Sequence, residues 1–195
     1  DRPFFLKVSF ARPHSPYDPP ERLLKRYRKE DMPAPVTAEW SKKHAPHDDP
    51  PRPNLWHGDL GVDQAKESRR AYYANVTFID EQVGRIVQAL KDRGVYDNTL
   101  ILFTADHGDM LGDHHLWRKT YAYEGSARIP MLLRWPRAWS AKAPRGSSLP
   151  QPVELRDVLP TFLDAAGASI PDDLDGRSLL QLVRGRTDGW RPYID

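Results

Sequence analysis

A dense run of side chains that can bind ions or move protons lies between Asp106 and Lys119. It holds three aspartates, three histidines, one arginine and one lysine. Carboxylates and imidazoles are common metal ligands, and a lysine nearby can bind an anion. Asp-His-Gly alone occurs in many ordinary polar loops. This density of titratable groups directly after a buried strand favours a functional site.

The elements around this run would position its side chains. Residues 98–105 form a short apolar stretch rich in β-branched and aromatic side chains, which predicts a buried strand. The polar residues then follow the carboxyl end of a strand, where open α/β sheets bind their ligands. Gly108 and Gly112 are expected to let the backbone turn sharply between the polar side chains.

The order of residues here resembles that of the formylglycine-dependent sulfatases, a branch of the alkaline-phosphatase-like superfamily. Two stretches carry the resemblance: Thr104-Ala-Asp-His-Gly-Asp-Met-Leu-Gly-Asp-His114, and Trp117-Arg-Lys-Thr-Tyr-Ala-Tyr-Glu-Gly-Ser-Ala-Arg-Ile-Pro130. The second ends in a Tyr-Glu-x-x-x-Arg-x-Pro pattern, and the two together are specific. The resemblance extends over nearly the whole chain, apart from about Asp31 to Val62.

The resemblance implies a metal site. Asp106 and His107 occupy the paired metal-ligand positions after the strand, where many sulfatases have asparagine in the second position. Calcium is expected first, although the imidazole of His107 leaves magnesium or manganese open, since calcium prefers oxygen ligands.

The resemblance also assigns residues to the substrate. Lys119 matches the lysine that grips the sulfate group, and His114 matches a histidine of the same motif. Arg118 is expected on the substrate side. His14 would be read from the residues alone as a surface histidine in a Pro-rich loop. Pro13-His14-Ser15-Pro16, however, matches the sulfatase segment whose histidine contacts the sulfate ester, so we predict catalytic roles for His14 and Lys119.

Strands and helices alternate along the chain, which predicts an α/β fold with a mainly parallel sheet flanked by helices, alkaline-phosphatase-like in type. The predicted elements are a strand over 4–10, a helix over 64–93, strands over 98–105 and 129–135, and a last helix with Asp157 as its N-cap and Gly167 beyond its C-terminus. A core strand at the start of the chain suggests that the N-terminal part of the domain is missing.

The domain organisation follows from the same resemblance. Residues 1–195 are expected to form one partial sulfatase catalytic domain. Residues 31–62 are rich in Pro, His, Asp and Trp without clear periodicity, which indicates an irregular insertion. Residues 176–195 are expected to lead into a small C-terminal subdomain. Glu124 and Arg128 are predicted to form an ion pair that fixes the intervening loop.

Composition limits the possible partners. The net charge is only +2, so charge gives no reason to expect nucleic acid binding. No apolar run approaches the roughly 18 residues of a membrane span. The expected partner is a small-molecule or glycan sulfate ester. A periplasmic, secreted or lysosomal-type location is compatible with the family resemblance, and a cytoplasmic one stays open.

The sulfatase nucleophile is absent from the chain. There is no cysteine and no Cys- or Ser-x-Pro/Ala-x-Arg signature, from which sulfatases make formylglycine. We therefore expect a metal-assisted sulfuric ester hydrolase as part of a longer protein, with a sulfated sugar as preferred substrate. The alternatives are a phosphonate monoester or phosphodiester hydrolase of the same superfamily, and an inert fragment derived from a sulfatase.

Overall fold

A computed structural model describes residues 2–52 and 54–194. The chain divides into two compact units. The first comprises Asp1–Asp92 and His107–Ile129, and the second comprises Arg93–Asp106 and Pro130–Asp195. We call residues 106–119 the polar run. The predicted strand over 98–105 therefore belongs to the second unit, whereas the polar run after Asp106 belongs to the first unit.

The first unit is organised around one long helix, α2, which spans Gly61–Asp92. This confirms the helix predicted over 64–93. Its buried side chains recur at helical spacing, because a helix presents one face to its neighbours; they include Ala65, Ala71, Ala74 and Ile79. The short helix α1, Glu21–Leu24, packs on α2 and buries Leu23 completely.

Further short helices complete the first unit. The helix α3 spans Glu124–Ala127. Single 3-10 turns cover Lys29–Asp31, Glu39–His44 and Asp113–His115. The turn Glu39–His44 lies in the segment predicted as an irregular insertion and packs against the turn Asp113–His115.

The buried arginine Arg69 ties this segment to the polar run. Its guanidinium lies on α2 and donates to Asp113 Oδ1 at 2.6 Å and to the Leu111 carbonyl at 3.1 Å. It also reaches the carbonyl oxygens of Pro33 and Ala34 at 3.3 Å. The planar guanidinium can satisfy several acceptors at once, so one side chain joins the helix, the polar run and the insertion.

Residues 4–10 do not form the predicted strand. They have no regular structure, and Phe4, Phe5 and Leu6 are more than half exposed. A strand needs a neighbour to satisfy its backbone groups, and the ladder found among the described residues joins only β1 and β2. The apolar composition predicted burial, but composition cannot supply a pairing strand.

The second unit contains β1, Ile101–Thr104, and β2, Met131–Arg134. Both lie within the predicted strands. They pair antiparallel, with Ile101 opposite Arg134. The mainly parallel sheet is therefore not seen: the sheet of the described residues has two strands and is antiparallel. Alternation of elements indicated the class of fold, whereas strand direction depends on how the connections return.

Short helices are the regular elements of the rest of the second unit. The helix α4, Val158–Ala166, begins after Asp157 as predicted and ends at Gly167, and α5 spans Leu180–Val183. Single 3-10 turns cover Tyr96–Asn98 and Leu155–Asp157. Its apolar core contains Trp135, Leu180 and Val183. Within residues 2–52 and 54–194, no helix has both the length and the apolar composition needed to span a bilayer.

Asp157 occupies the predicted position before α4, but its side chain makes no capping hydrogen bond to that helix and instead forms a buried electrostatic centre of the second unit. Its carboxylate is fully buried and accepts two hydrogen bonds from Arg191, at 2.6 and 2.7 Å. The backbone N–H groups of Glu154 and Arg177 also donate to it, at 2.9 and 2.8 Å. The side chain thus joins the segment before α4 to the segment that contains Arg191.

Asp157→Ala should destabilise the protein by about 3 kcal/mol, because removal of one partner leaves a buried, uncompensated charge on Arg191. Glu154, 3.1 Å from Arg191, keeps the loss at the lower end of the usual range. Thermal or urea unfolding measures the change. Asp172→Ala, at an exposed aspartate of the same unit, should stay within about 0.5 kcal/mol of wild type. Equal stability of the two variants would contradict the assignment.

Candidate active site

Three of the predicted site residues come together in the first unit. The imidazole rings of His14 and His107 lie edge to face with centroids 5.9 Å apart. The ammonium of Lys119 donates to His107 Nε2 at 2.5 Å. Both histidines are half-buried and Lys119 is exposed. Residues 93 positions apart in the chain, His14 and His107, are therefore neighbours in space.

Hydrogen bonds to the backbone determine which nitrogen of each histidine faces the site. His107 Nδ1 lies 2.7 Å from the carbonyl oxygen of Gly108, and His14 Nδ1 lies 2.8 Å from that of Ser15. A carbonyl can only accept, so Nδ1 carries the proton in both rings. His107 Nε2 then has the lone pair that accepts from Lys119. The Nε2 atom of a neutral imidazole held in this way can also ligate a metal ion.

The two glycines of the polar run have different tasks. Gly112 adopts a left-handed backbone with φ of 89°, as a sharp turn requires. Gly108 instead allows close packing: its N–H donates to the Ser126 carbonyl at 2.7 Å, and a Cβ at position 108 would overlap the carbonyl oxygen of Gly125. The expectation of a sharp turn is thus correct for Gly112, and packing accounts for Gly108.

The backbone from Leu111 to Arg118 is unusual. Left-handed φ values of 48–64° occur at Leu111, His114, His115 and Arg118. Such values cost energy in residues that carry a Cβ and tend to cluster at functional sites. The contacts of Arg69 with Leu111 and Asp113 help to hold this conformation.

Asp106 belongs to the second unit and lies two residues after the end of β1. Its carboxylate is exposed. No group of three or more His, Cys, Asp or Glu side chains placed to hold a metal ion occurs in the described ranges 2–52 and 54–194. A carboxylate at 106 and an imidazole at 107 are side chains of the types that ligate divalent cations, and their assignment as metal ligands stays a prediction.

Comparison with known proteins identifies the chain. A model of the sulfatase family matches residues 1–168. The chain belongs to the sulfatase family. It is 43% identical over 193 residues to an arylsulfatase of Clostridium perfringens, a match that covers 99% of this chain and 40% of that protein.

Two further relatives carry names that specify other activities. The chain is 33% identical to an N-acetylglucosamine-6-O-sulfatase of Bacteroides thetaiotaomicron, over 89% of this chain and 31% of that protein. It also resembles the crystal structure of a phosphonate monoester hydrolase of Agrobacterium radiobacter, with a TM-score of 0.84 and 31% identity, over 98% of this chain and 40% of that one. The chain thus spans two fifths or less of these relatives.

The structure places the two predicted substrate-binding residues in contact with other side chains. His114 packs its ring against Trp40, with centroids 4.6 Å apart, and against Tyr123 at 5.6 Å. The guanidinium of Arg118 donates to Asn54 Oδ1 at 2.5 Å. Both residues therefore contact the irregular insertion, residues 31–62. His114 contacts Trp40, and Arg118 contacts Asn54.

The predicted pair of Glu124 and Arg128 forms but is weak. The two charged groups are 3.5 Å apart, and both side chains are more than four-fifths exposed. An exposed pair of this spacing contributes at most about 0.5 kcal/mol. The loop is held more firmly by Ser126, whose hydroxyl donates to the carbonyl oxygens of Tyr121 and Tyr123.

Tyr17 and Asp109 are site residues that the sequence did not single out. The Tyr17 hydroxyl donates to Asp109 Oδ2 at 2.7 Å. Asp109 Oδ1 accepts the backbone N–H groups of Leu111 and Arg118, at 3.0 and 2.8 Å. Asp109 therefore joins the loop that carries His14 to the polar run. No spacing rule links positions 17 and 109, and Asp109 stood out only as one of several acidic residues.

Burial and the charge of Asp109 raise the pKa of Tyr17. The same two causes raise the pKa of Tyr72, whose ring packs edge to face on Tyr17, to about 12. Both phenols thus stay protonated at neutral pH, so Tyr17 remains the donor to Asp109. Both pKa values are higher in the folded protein than in the unfolded protein. The two protonated phenols therefore stabilise the fold fully below about pH 10, and this stabilisation is lost as the pH rises above that value.

Tyr17→Phe removes the hydrogen bond to Asp109, and the loss of such a bond at a buried group costs about 1–3 kcal/mol. The loop that carries His14 should then loosen, and kcat/KM of the whole protein should fall about tenfold. The change should also reduce the loss of stability above pH 10. Tyr73→Phe is the matched control, because phenylalanine preserves the ring contacts of Tyr73. An alkaline unfolding profile equal to that of wild type would contradict the role of Tyr17.

Proposed function

We propose that the chain is part of a sulfuric ester hydrolase that acts within a longer protein. The observation that carries the proposal is the convergence of His14, His107 and Lys119 within a chain of the sulfatase family. Identity of 43% to an arylsulfatase supports the reaction class. Hydrolysis of a sulfate ester needs a nucleophile at sulfur, neutralisation of the sulfate oxygens and a proton for the leaving oxygen.

Each residue of the cluster has a role that suits its chemistry. Lys119 carries a compact, exposed positive charge and would neutralise the sulfate oxygens. His14, whose Nδ1 is bonded to the Ser15 carbonyl, would need a second proton on Nε2; in that imidazolium form it would bind the ester anion or donate the Nε2 proton to the leaving oxygen. The nucleophile would have to come from another part of the whole protein, because the chain contains no cysteine and no formylglycine signature.

A divalent cation, with calcium first and magnesium or manganese as alternatives, would be held by Asp106 and His107 together with ligands outside this pair. When bound, such an ion neutralises charge and positions the nucleophile. His107 Nε2 has a single lone pair, so it cannot serve a cation and the hydrogen bond from Lys119 at the same time. With a cation on His107 Nε2, the Lys119 ammonium would be available to the anionic substrate.

A phosphonate monoester hydrolase is the second candidate. The structural similarity to the Agrobacterium radiobacter enzyme favours it. The two activities use the same kind of anionic tetrahedral centre, which Lys119 and His14 would bind in the same way. A catalytically inert protein derived from a sulfatase is the third candidate, and it would lack the formylglycine signature in its remaining sequence.

Parallel assays of the whole protein test the proposal. 4-Nitrophenyl sulfate and 4-nitrophenyl phenylphosphonate release the same leaving group, so their kcat/KM values compare the two acid centres directly. We expect a higher kcat/KM for the sulfate. A higher kcat/KM for the phosphonate would favour the second candidate, and no hydrolysis of either ester by metal-loaded protein would favour the third.

A further inference from the structure

Aromatic rings form a continuous surface beside Lys119. We call the four rings of Trp40, Trp56, Tyr121 and Tyr123 the aromatic surface. Trp40 lies 5.6 Å from Tyr123, Tyr123 lies 6.0 Å from Tyr121, and Tyr121 lies 6.2 Å from Trp56, measured between centroids. All four belong to the first unit. Tyr121 comes two residues after Lys119 in the chain, so the backbone that carries this ring is close to the backbone of Lys119.

The rings are held in place yet remain accessible. The segment around Trp56 pairs with the polar run: the Trp117 N–H donates to the Trp56 carbonyl at 2.9 Å, and the Gly58 N–H donates to the His115 carbonyl at 2.8 Å. An isolated bridge between His57 and Leu116 continues this pairing. Trp40, Trp56 and Tyr121 nevertheless stay 47%, 42% and 40% exposed. Large exposed rings close to a reactive centre indicate a binding surface rather than core packing.

A cleft with both polar and apolar lining adjoins the aromatic surface. Trp56 and His57 form part of its wall, together with the polar side chains of His47, Arg52 and Asn54, and its volume is about 540 Å³. This size falls within the range of small-ligand sites. A ligand in this cleft would meet an aromatic ring on one side and hydrogen-bonding groups on the other.

We propose that the aromatic surface and the adjoining cleft bind the sugar ring of a sulfated glycan, as the leaving-group site of the proposed sulfatase. A pyranose has one face of C–H groups, which suits the negative face of an aromatic ring, and hydroxyl groups around its rim, which suit the polar side chains of the cleft, such as His47 and Arg52. The row of four rings is wider than one aryl group needs. This inference rests on the proposed function for the position of the sulfate.

Two variants test the sugar site in the whole protein. Trp40→Ala and Trp56→Ala should each raise KM for N-acetylglucosamine 6-sulfate about tenfold, which corresponds to about 1.4 kcal/mol. The inhibition constant of inorganic sulfate should stay within about twofold of wild type, since the anion site does not include these rings. Tyr193→Ala, at a tyrosine that is 68% exposed in the second unit, is the matched control.

Several outcomes would overturn the inference. One is a KM for the sugar sulfate that stays within about twofold of wild type in both variants. Another is an increase confined to 4-nitrophenyl sulfate, which would assign the surface to aryl esters. A parallel rise in the inhibition constant of inorganic sulfate would show that the rings only maintain the anion site.

A binding measurement separates this inference from the proposed function. Unsulfated N-acetylglucosamine should quench tryptophan fluorescence of the wild-type protein, and its affinity should fall about tenfold in both tryptophan variants. If no sulfate ester is hydrolysed but this loss is seen, the sugar site stands and the proposed reaction fails. If hydrolysis occurs but sugar binding is the same in the wild type and both variants, the sugar site fails alone.

Discussion

Asp106→Ala is expected to remove both the bound metal and the activity of the whole protein. The carboxylate is one of the two proposed ligands of this chain, and the ion supplies several kcal/mol of charge stabilisation. A loss of about 4 kcal/mol corresponds to roughly a thousandfold in kcat/KM. Metal content, measured by elemental analysis after dialysis, should fall together with activity.

The control for this change is Asp188→Ala, at an exposed aspartate of the same unit, which should keep its metal and its activity. Addition of excess calcium should restore part of the lost activity, because a weakened site fills at higher ion concentration. Undiminished metal in the Asp106 variant would show that this carboxylate is not a ligand.

Lys119→Ala should lower kcat/KM by about a hundred- to a thousandfold, the usual effect of removing one positioned group that stabilises charge in the transition state. Lys119 is exposed, so stability should change little. Metal content should also be unchanged, which separates this variant from Asp106→Ala. Lys119→Arg should recover only part of the activity, because the guanidinium is larger and distributes its charge differently.

Lys25→Ala is the matched control, since Lys25 is an exposed lysine of the same unit and its ion pair with Glu21 is also exposed. Its kcat/KM should equal that of wild type. A Lys119→Ala enzyme that retains kcat but has a raised KM would show that the ammonium binds substrate without favouring the transition state.

Local patterns were sufficient to predict the helix α2 and the strands β1 and β2. Periodic apolar residues in α2 and the short β-branched runs of the strands are properties of neighbouring residues, and local backbone geometry follows from them. The stretch 4–10 shows where this reasoning stops. It has the composition of a strand, yet a strand also needs a second strand to pair with, and the position of that second strand is not a local property of the sequence.

The sequence by itself determined the family and the residue types of the polar run, because the spacing from Asp106 to Lys119 is a local property. Only the tertiary structure decided that His14 lies beside His107, that Tyr17 donates to Asp109, and that Trp40 and Trp56 lie in one row with Tyr121 and Tyr123. These are contacts between distant positions. Their formation depends on packing and on the satisfaction of buried polar groups throughout the unit, which no spacing along the chain records.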